Sequence, residues 1–455
     1  MLLPPDMRDW LPEDHMVHFI LDVVERADTS GFSVNARGTG SKQYPPSMLL
    51  ALLVYCYSTG RFSSRVIEEA SWCDVAVRYI CAGTHPDHDT ICTFRRVNRK
   101  AFEQFFVHVL EVAAQSGVLK KVGTVSVDGT KIHANASKHS AVSYGHAVKM
   151  LEQLENEVAA LTEKAEQCDG SEKQDCAFNL PEEIARREAR KARIEEAMAV
   201  IESRHAEKLS ARKEEHEKKV RAREAAREAG KKARGPEPKE PEETPGAKDQ
   251  YNFTDPQSRI MKAGNGGHFE QCYNAQAAVE TQSMLIVSNH LSDRPNDKLE
   301  LLPSLDAAVA NGFKISGVLA DTGYYSEANA DGCQERGIEP YLAVGKQSHG
   351  IALETILGAA PEPEMPEAPS AKERMAHKLK SPAGAKLYGL RKQTVEPVFG
   401  IIKQCMRFRQ FLMRGKENAA GEWNLVCTAY NLKRTFNLTR SGAAAALSAG
   451  LAKSA

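Results

Sequence analysis

Apolar residues recur at spacings of three and four in MVHFILDVVERA, PSMLLALLVYCYS and KAFEQFFVHVLEVAAQSG, so residues 1–120 are predicted to be helical. Pro12-Glu13-Asp14 and Tyr44-Pro45-Pro46-Ser47 open the first two helices, and the short segments SSRVIEEASW and DHDTICTFRRVN follow after turns. Such an array suits a helix-turn-helix or a plain helical bundle. From about Lys121 the period becomes two. In TVSVDGTKIHANAS (124–137), Val125 and Val127 point one way and Ser126, Asp128, Thr130 and Ile132 the other, as in a half-buried strand. Asp128-Gly129 is also a common two-residue hairpin turn, and this window alone leaves both readings open.

Residues 147–168 and 181–230 return to helical spacing, with Met150, Leu151, Leu154, Val158 and Leu161 among Glu, Lys, Arg and Ala. CDGSEKQDCAFNLPEE connects them, with Pro181 suited to a first turn, so an antiparallel helical hairpin or coiled coil is expected. An unbroken second helix would reach roughly 70 Å at 1.5 Å per residue. GPEPKEPEETPG (235–246) reads as a linker unable to bury a core. Strands are then predicted near 273–280, 284–291, 314–320 and 339–344, with helices over KLELLPSLDAAVANG and SEANADGCQERG, which together make a mixed α/β sheet. Residues 346–386 read as a polar loop, a last helical region starts near Thr394, and the Ala- and Ser-rich tail beyond Ser441 reads as disordered.

A chain of 455 residues has room for two or three domains. Its 60 basic and 60 acidic residues balance overall but not locally: from Ala371 to Arg440 there are 15 Lys or Arg against 4 Asp or Glu, which suits a surface that meets polyanions or, for part of it, a solvated face. The second long helical region is mildly basic, with 17 basic against 12 acidic residues between Pro181 and Arg234. Ten cysteines without a CxxC pair, and no signal-peptide pattern, lead us to expect a reduced, cytoplasmic protein. Cys81, His85 and His88 lack a second paired half for zinc and read as loop residues. No apolar run reaches the roughly 18 residues of a membrane span.

Three acids stand out. Asp128 lies within the predicted strand, and Asp321 in GVLADTGYYS ends another, where open α/β sheets bind ligands, although a turn or cap would also suit it. Glu396 in KQTVEPVFGIIKQCMRF would share a helix face with Phe399 and Lys403, or be an exposed helix-start acid before Pro397. VSVDGTKIHANAS, LADTGYYS, VEPVFGIIK and the trailing EWNLVCTAYNLKR together resemble the DDE transposases of bacterial insertion sequences. The resemblance spans nearly the whole chain. It implies that the strand runs straight through Asp128.

It further implies an α/β fold in which an RNase H-like mixed sheet with flanking helices (121–144 and 247–440) follows an all-α N-terminal domain (1–120) that binds element ends. A helical hairpin insert with its linker (145–246) interrupts the sheet, and 441–455 is the tail. Asp128, Asp321 and Glu396 would be the catalytic acids and would hold two Mg²⁺ ions, with Mn²⁺ able to substitute. The family's Tyr-xx-Arg-xxx-Glu-xxxxxx-Lys signature keeps Glu396 and Lys403 in spacing. Tyr388 and Arg391 lie one residue further upstream than it asks, and Lys392 stands at the arginine's place. These four, with Arg95, Arg96 and Arg99, are the candidate DNA contacts. His268, Tyr273, Asn274 and Gln276 read as buried strand polars, or as DNA contacts beside the site. The interval from Asp321 to Glu396 holds no Trp, so a DNA-hairpin intermediate is not implied. Expected partners are double-stranded DNA, as terminal inverted repeats and as target, and a second copy of the chain on DNA. The alternatives are a metal-dependent nuclease of the same fold that cuts without joining, and an inactive DNA-binding derivative.

Overall fold

Strand β1 runs unbroken from Val122 to His133, with Asp128 opposite Ala277 and Gly129 opposite Gln276 on its antiparallel neighbour, so the Asp-Gly pair makes no turn. It belongs to a computed structural model that describes residues 6–34, 43–169, 179–228, 237–263, 267–345 and 369–441. Two compact units make up the chain: Met1–Asn135 with Met261–Ala455, and Ala136–Ile260.

In the first unit, helices α1 (Met16–Glu25), α2 (Pro46–Ser58), α3 (Ser64–Cys73), α4 (Val75–Ile80), α5 (His88–Val97) and α6 (Arg99–Gln115) precede β1. In the second, β2 (Ala141–Ser143) pairs with β3 (Gln250–Asn252), and helices α7 (Tyr144–Asp169) and α8 (Leu180–Glu228) lie side by side. The sheet of the first unit continues with β4 (Arg259–Ala263), β5 (His268–Glu280), β6 (Ile286–Ser292), β7 (Lys314–Ala320) and β8 (Glu339–Leu342). Its order is β4-β5-β1-β7-β8, with β6 also on β5. β5 is antiparallel to β1 and to β6, while β7 is parallel to β1 and β8 to β7. Helices α9 (Leu301–Ala310) and α10 (Glu327–Glu335) make the crossovers of the parallel part. Helices α11 (Ala371–Lys380), α12 (Pro382–Gly400) and α13 (Lys416–Arg440) close the chain.

Val125, Ser126 and Val127 are all fully buried, which corrects the expectation of one exposed face. Consecutive strand residues face opposite sides, so both faces of the sheet are covered. The motif EWNLVCTAYNLKR does this on α13. The Trp423 indole donates to Gln276 O (3.0 Å), and Asn431 makes two bonds to the backbone of Ile286 at the start of β6 (2.9 and 2.8 Å).

Two other expectations change. Residues 369–386 are not loop: Ser370 and Glu373 form a capping box that starts α11, and Ser381 caps α12. The S-x-x-E signal was present, but the polar composition around it masked it. Pro397 sits inside α12 rather than at its start, and a π-helical turn, Ile401–Cys405, follows it. A proline has no N–H to give the preceding turn, and a wide turn is one way a helix absorbs such a defect. Residues 346–368 and 442–455, with the loop and tail expected there, lie outside the described residues.

Within the second unit, Arg187–Glu157 (3.0 Å) and Lys191–Glu155 (2.8 Å) pair α8 with α7 in antiparallel register around Ala147, Leu154, Ile194 and Ala197. The described part of the Pro- and Glu-rich segment is more than a linker. It lies along α8, where His205 and His216 donate to Glu242 O (3.0 Å) and Pro238 O (3.3 Å). A proline-rich chain cannot coil, but its extended carbonyls stay open to side chains on a neighbouring helix.

Candidate active site

β7 pairs with β1 in parallel up to Ser126 opposite Leu319. Carrying that register two residues further brings Asp321 level with Asp128, on strands spaced about 4.8 Å apart, with both side chains on one face. Asp321 follows the last residue of β7, and its Oδ1 accepts from Gly323 N–H (2.8 Å). Asp128 Oδ1 accepts from Gly129 N–H (2.8 Å). The Asp128 side chain is only 19% exposed. Burial, and then the facing Asp321 carboxylate, push its carboxyl up to about 7 against the counter-pull of Arg391.

The third acid arrives from α12. Arg391, one turn before Glu396, reaches Asp128 Oδ2 (3.5 Å) with one terminal nitrogen and Glu396 Oε1 (3.0 Å) with the other. One largely buried guanidinium therefore joins the first and third candidate acids, and the partly buried Tyr388 lies within the field of its charge. The one-residue offset of Tyr388 and Arg391 from the spacing expected of them does not take them out of the site. Lys392 is exposed and contributes none of these bonds. Lys403 donates to Lys131 O on β1 (3.0 Å), and burial lowers its proton affinity.

Asp297, in the loop after β6, was not singled out in the sequence. Its Oδ1 accepts from Asn274 (2.6 Å) and Gln276 (2.8 Å) on β5, and lies 3.4 Å from Lys131 Nζ. Gly129 makes room for this network: a Cβ there would stand 2.2 Å from Gln276 Nε2 and 2.7 Å from Asp297 Oδ1. Gln276 also accepts from the buried Tyr324 hydroxyl, three residues after Asp321. The only signal in SDRPNDKLE was an acid ahead of a helix, which reads as a cap. Tyr273, Asn274 and Gln276 are buried strand polars as read, and His268 is exposed.

The arginines of α5 and α6 divide. Arg95 is 5% exposed, donates to Tyr57 Oη (2.5 Å) and faces Glu422 (3.5 Å), so it is a core residue and not a DNA contact. Arg95 lies four residues after the buried Ile91, on the same face of α5, and Glu422 on α13, distant in sequence, partners its charge there. Arg99 bonds to Asn418 and Glu417, and Arg96 is exposed. His85 stacks on Trp72 and His88 bonds to Glu68, while Cys81 is buried. Among the described residues, no three His, Cys, Asp or Glu side chains are gathered as an ion would need, and no helix is long and apolar enough to cross a membrane.

Comparison with protein families gives two matches, the Transposase DDE domain over residues 233–432 and the Transposase domain (DUF772) over residues 5–97. Curated proteins and solved structures gave no match. The first match carries Asp321, Glu396 and most of the α13 motif, the second carries α1 to α5, and both describe transposases. With Asp128 on β1 level with Asp321 just past β7, and Glu396 tied to Asp128 through Arg391, the two matched domains support a DDE transposase of insertion-sequence type.

Proposed function

We propose that the chain cuts DNA at the ends of an insertion sequence and joins the freed ends to target DNA, using Asp128, Asp321 and Glu396. The observation that carries this reading is the pair of aspartates, Asp128 within β1 and Asp321 just past the end of β7, with Glu396 linked to Asp128 by Arg391. The sheet order supports an RNase H-like core: three antiparallel strands, β6-β5-β1, extended by two parallel ones, β7 and β8. Helices within residues 1–120 are proposed to bind the element ends, as a dimer of the chain on paired ends.

Transposases of this family generally use divalent metal ions. The donors here fit a hard cation in kind, being carboxylate oxygens. Asp128 carries the mark of missing positive charge, since it is mostly buried against a like charge. Asp128 and Asp321 would hold such an ion, and Glu396 would join once its bond to Arg391 is exchanged. The ion would relieve charge on the attacking and leaving oxygens. In the reaction, water adds to phosphorus at the element end and a 3′-OH leaves. That 3′-OH then attacks a target phosphodiester, whose own 3′ oxygen departs. Arg391, released from the two acids, is placed to meet a phosphate oxygen.

The test supplies precleaved element ends with Mg²⁺ or Mn²⁺ and scores joined products, which a nuclease that only cuts would not form. Replacing Asp128, Asp321 or Glu396 by Ala is expected to abolish cutting and joining while end binding persists, because affinity rests on basic contacts. Full activity in any one variant removes that residue from the site.

A further inference from the structure

Besides the acid cluster, the first unit has an open groove of about 420 Å³ between the turn after α2 and the segment after the π-helical turn. It is lined by Gly60, Arg61, Phe62, Ser63, Val66, Arg407, Arg409, Gln410 and Leu412, without an acid among them. We propose that this groove seats the sugar-phosphate backbone of duplex DNA about five base pairs from the phosphodiester that the acids cut, an inference that rests on the function proposed above.

Three guanidiniums supply the charge, and two of them are held by bonds from the protein side. Arg61 is anchored by Asp74 (2.7 Å) yet keeps about a third of its side chain exposed. Arg409 is steadied by Lys403 O (3.1 Å) and Gln404. Arg407 lies between Met406 and Phe408, both 1% exposed, whose N–H groups bond to Ile401 O (2.9 Å) and Ile402 O (3.0 Å). Its neighbours are core, so its own side chain has to point outward. It does so with φ +65°, a left-handed conformation unfavourable for arginine. Gly60, also left-handed at +83°, lets the two walls meet, since a Cβ there would stand 2.9 Å from Met406 O. Val66 and Leu412 remain exposed at the rim, as apolar surface suited to deoxyribose faces.

The groove is tied to the acid-bearing strand. Gln410 bridges to His133 at the end of β1, His133 N–H donates to Arg409 O (3.2 Å), and Phe411 N–H donates to His133 O (2.8 Å). From Asp128 to His133 is five residues of strand, about 17 Å at 3.4 Å per residue. Duplex DNA rises about 3.4 Å per base pair, so a duplex running along β1 would present a phosphate there about five pairs from the cut. A fixed basic groove at that distance sets register without reading sequence.

The experiment measures binding of the full chain to two duplexes across a salt series, one carrying the DNA that borders the coding sequence and one of mixed sequence. Arg407→Asn removes the charge with a residue that tolerates the left-handed backbone, and Arg409→Gln removes the second. For the double variant the slope of log affinity against log salt is expected to become shallower by about 1.8, and for Arg407→Asn alone by about 0.9, on both duplexes. Phosphate ethylation roughly four to six positions from the cut should block the unaltered chain and no longer matter to the double variant. Should Arg409→Gln fail to fold, the single variant decides. An unchanged slope, or interference confined to other phosphates, overturns the groove. Failure of the unaltered chain to bind either duplex would instead reject the transposition reading itself.

Discussion

Asp128 holds its proton far more tightly than an exposed aspartate, because water is largely excluded and Asp321 faces it. Its carboxyl titrates near 7 in the fold against an ordinary 3.8, so between about pH 4 and pH 7 the folded chain keeps a proton that the unfolded chain has lost. Stability from this group is complete below the lower value and is lost as pH rises through the upper one. Unfolding by urea in the presence of chelator should therefore show the protein weaker at pH 7.5 than at about pH 5, by up to a few kcal/mol from this residue. Asp128→Asn should flatten the difference relative to the parent chain. An equal pH dependence in both would mean that Asp128 is already ionised in the fold. Ionised Asp128 is also the form that would hold a cation, so added Mg²⁺ should restore part of the loss at the higher pH.

Helices α2, α5 and α13 meet through one buried polar knot. Arg95 bonds to Tyr57 Oη and faces Glu422, whose other oxygen accepts from Leu412 N–H (2.9 Å) and Met413 N–H (3.1 Å). The acid of α13 thus holds the backbone of the segment that follows α12, while the arginine of α5 balances its charge. Burial raises the proton affinity of Glu422, and Arg95 opposes that. Arg95→Ala would leave a buried carboxylate unpaired and is expected to cost about 3–5 kcal/mol in denaturant unfolding. Adding Glu422→Gln should recover part of it, because an amide keeps the acceptor without the charge. If Arg95→Ala instead left stability alone and made the salt dependence of DNA binding shallower, the residue would be a DNA contact after all.

At the scale of the whole chain, the helical hairpin starts and ends at one place within the second unit. Tyr144 N–H donates to Asp249 O (2.8 Å) and Gly145 N–H to Ala247 O (3.1 Å), so the two ends of the insert lie side by side. A hairpin entered and left through neighbouring residues can be shortened without stretching what it joins. Replacing 147–246 by a short Gly/Ser linker should leave the first unit folded, with cooperative unfolding and the pH response of Asp128 retained. Assembly on paired DNA ends should weaken, as read by gel filtration of the DNA complex. Loss of folding would make the hairpin part of the core, and unchanged assembly and joining would leave it without a role in the reaction.

Period and punctuation determined the elements whose cause is local: the strand through Val125 and Val127, the β7 run that ends before Asp321, and the two long helices with their Glu-Lys-Arg faces. Asp128 and Asp321 stood out as acids in or beside apolar runs, which need a reason, and the family resemblance added Glu396 to them. Their neighbourhood was not legible, since it is assembled by contacts across hundreds of residues. Only the register of β7 on β1 puts two aspartates level, and only the packing of α12 brings Arg391 rather than Lys392 to Asp128. Asp297 and Gly129 share a network that no spacing announces. Arg95 looked like a surface charge until Glu422 was found opposite it. Local pattern fixes which face of an element is apolar. Which charge ends up buried beside which is decided by the tertiary fold, because the desolvation that gives such pairs their importance exists only after the elements have packed.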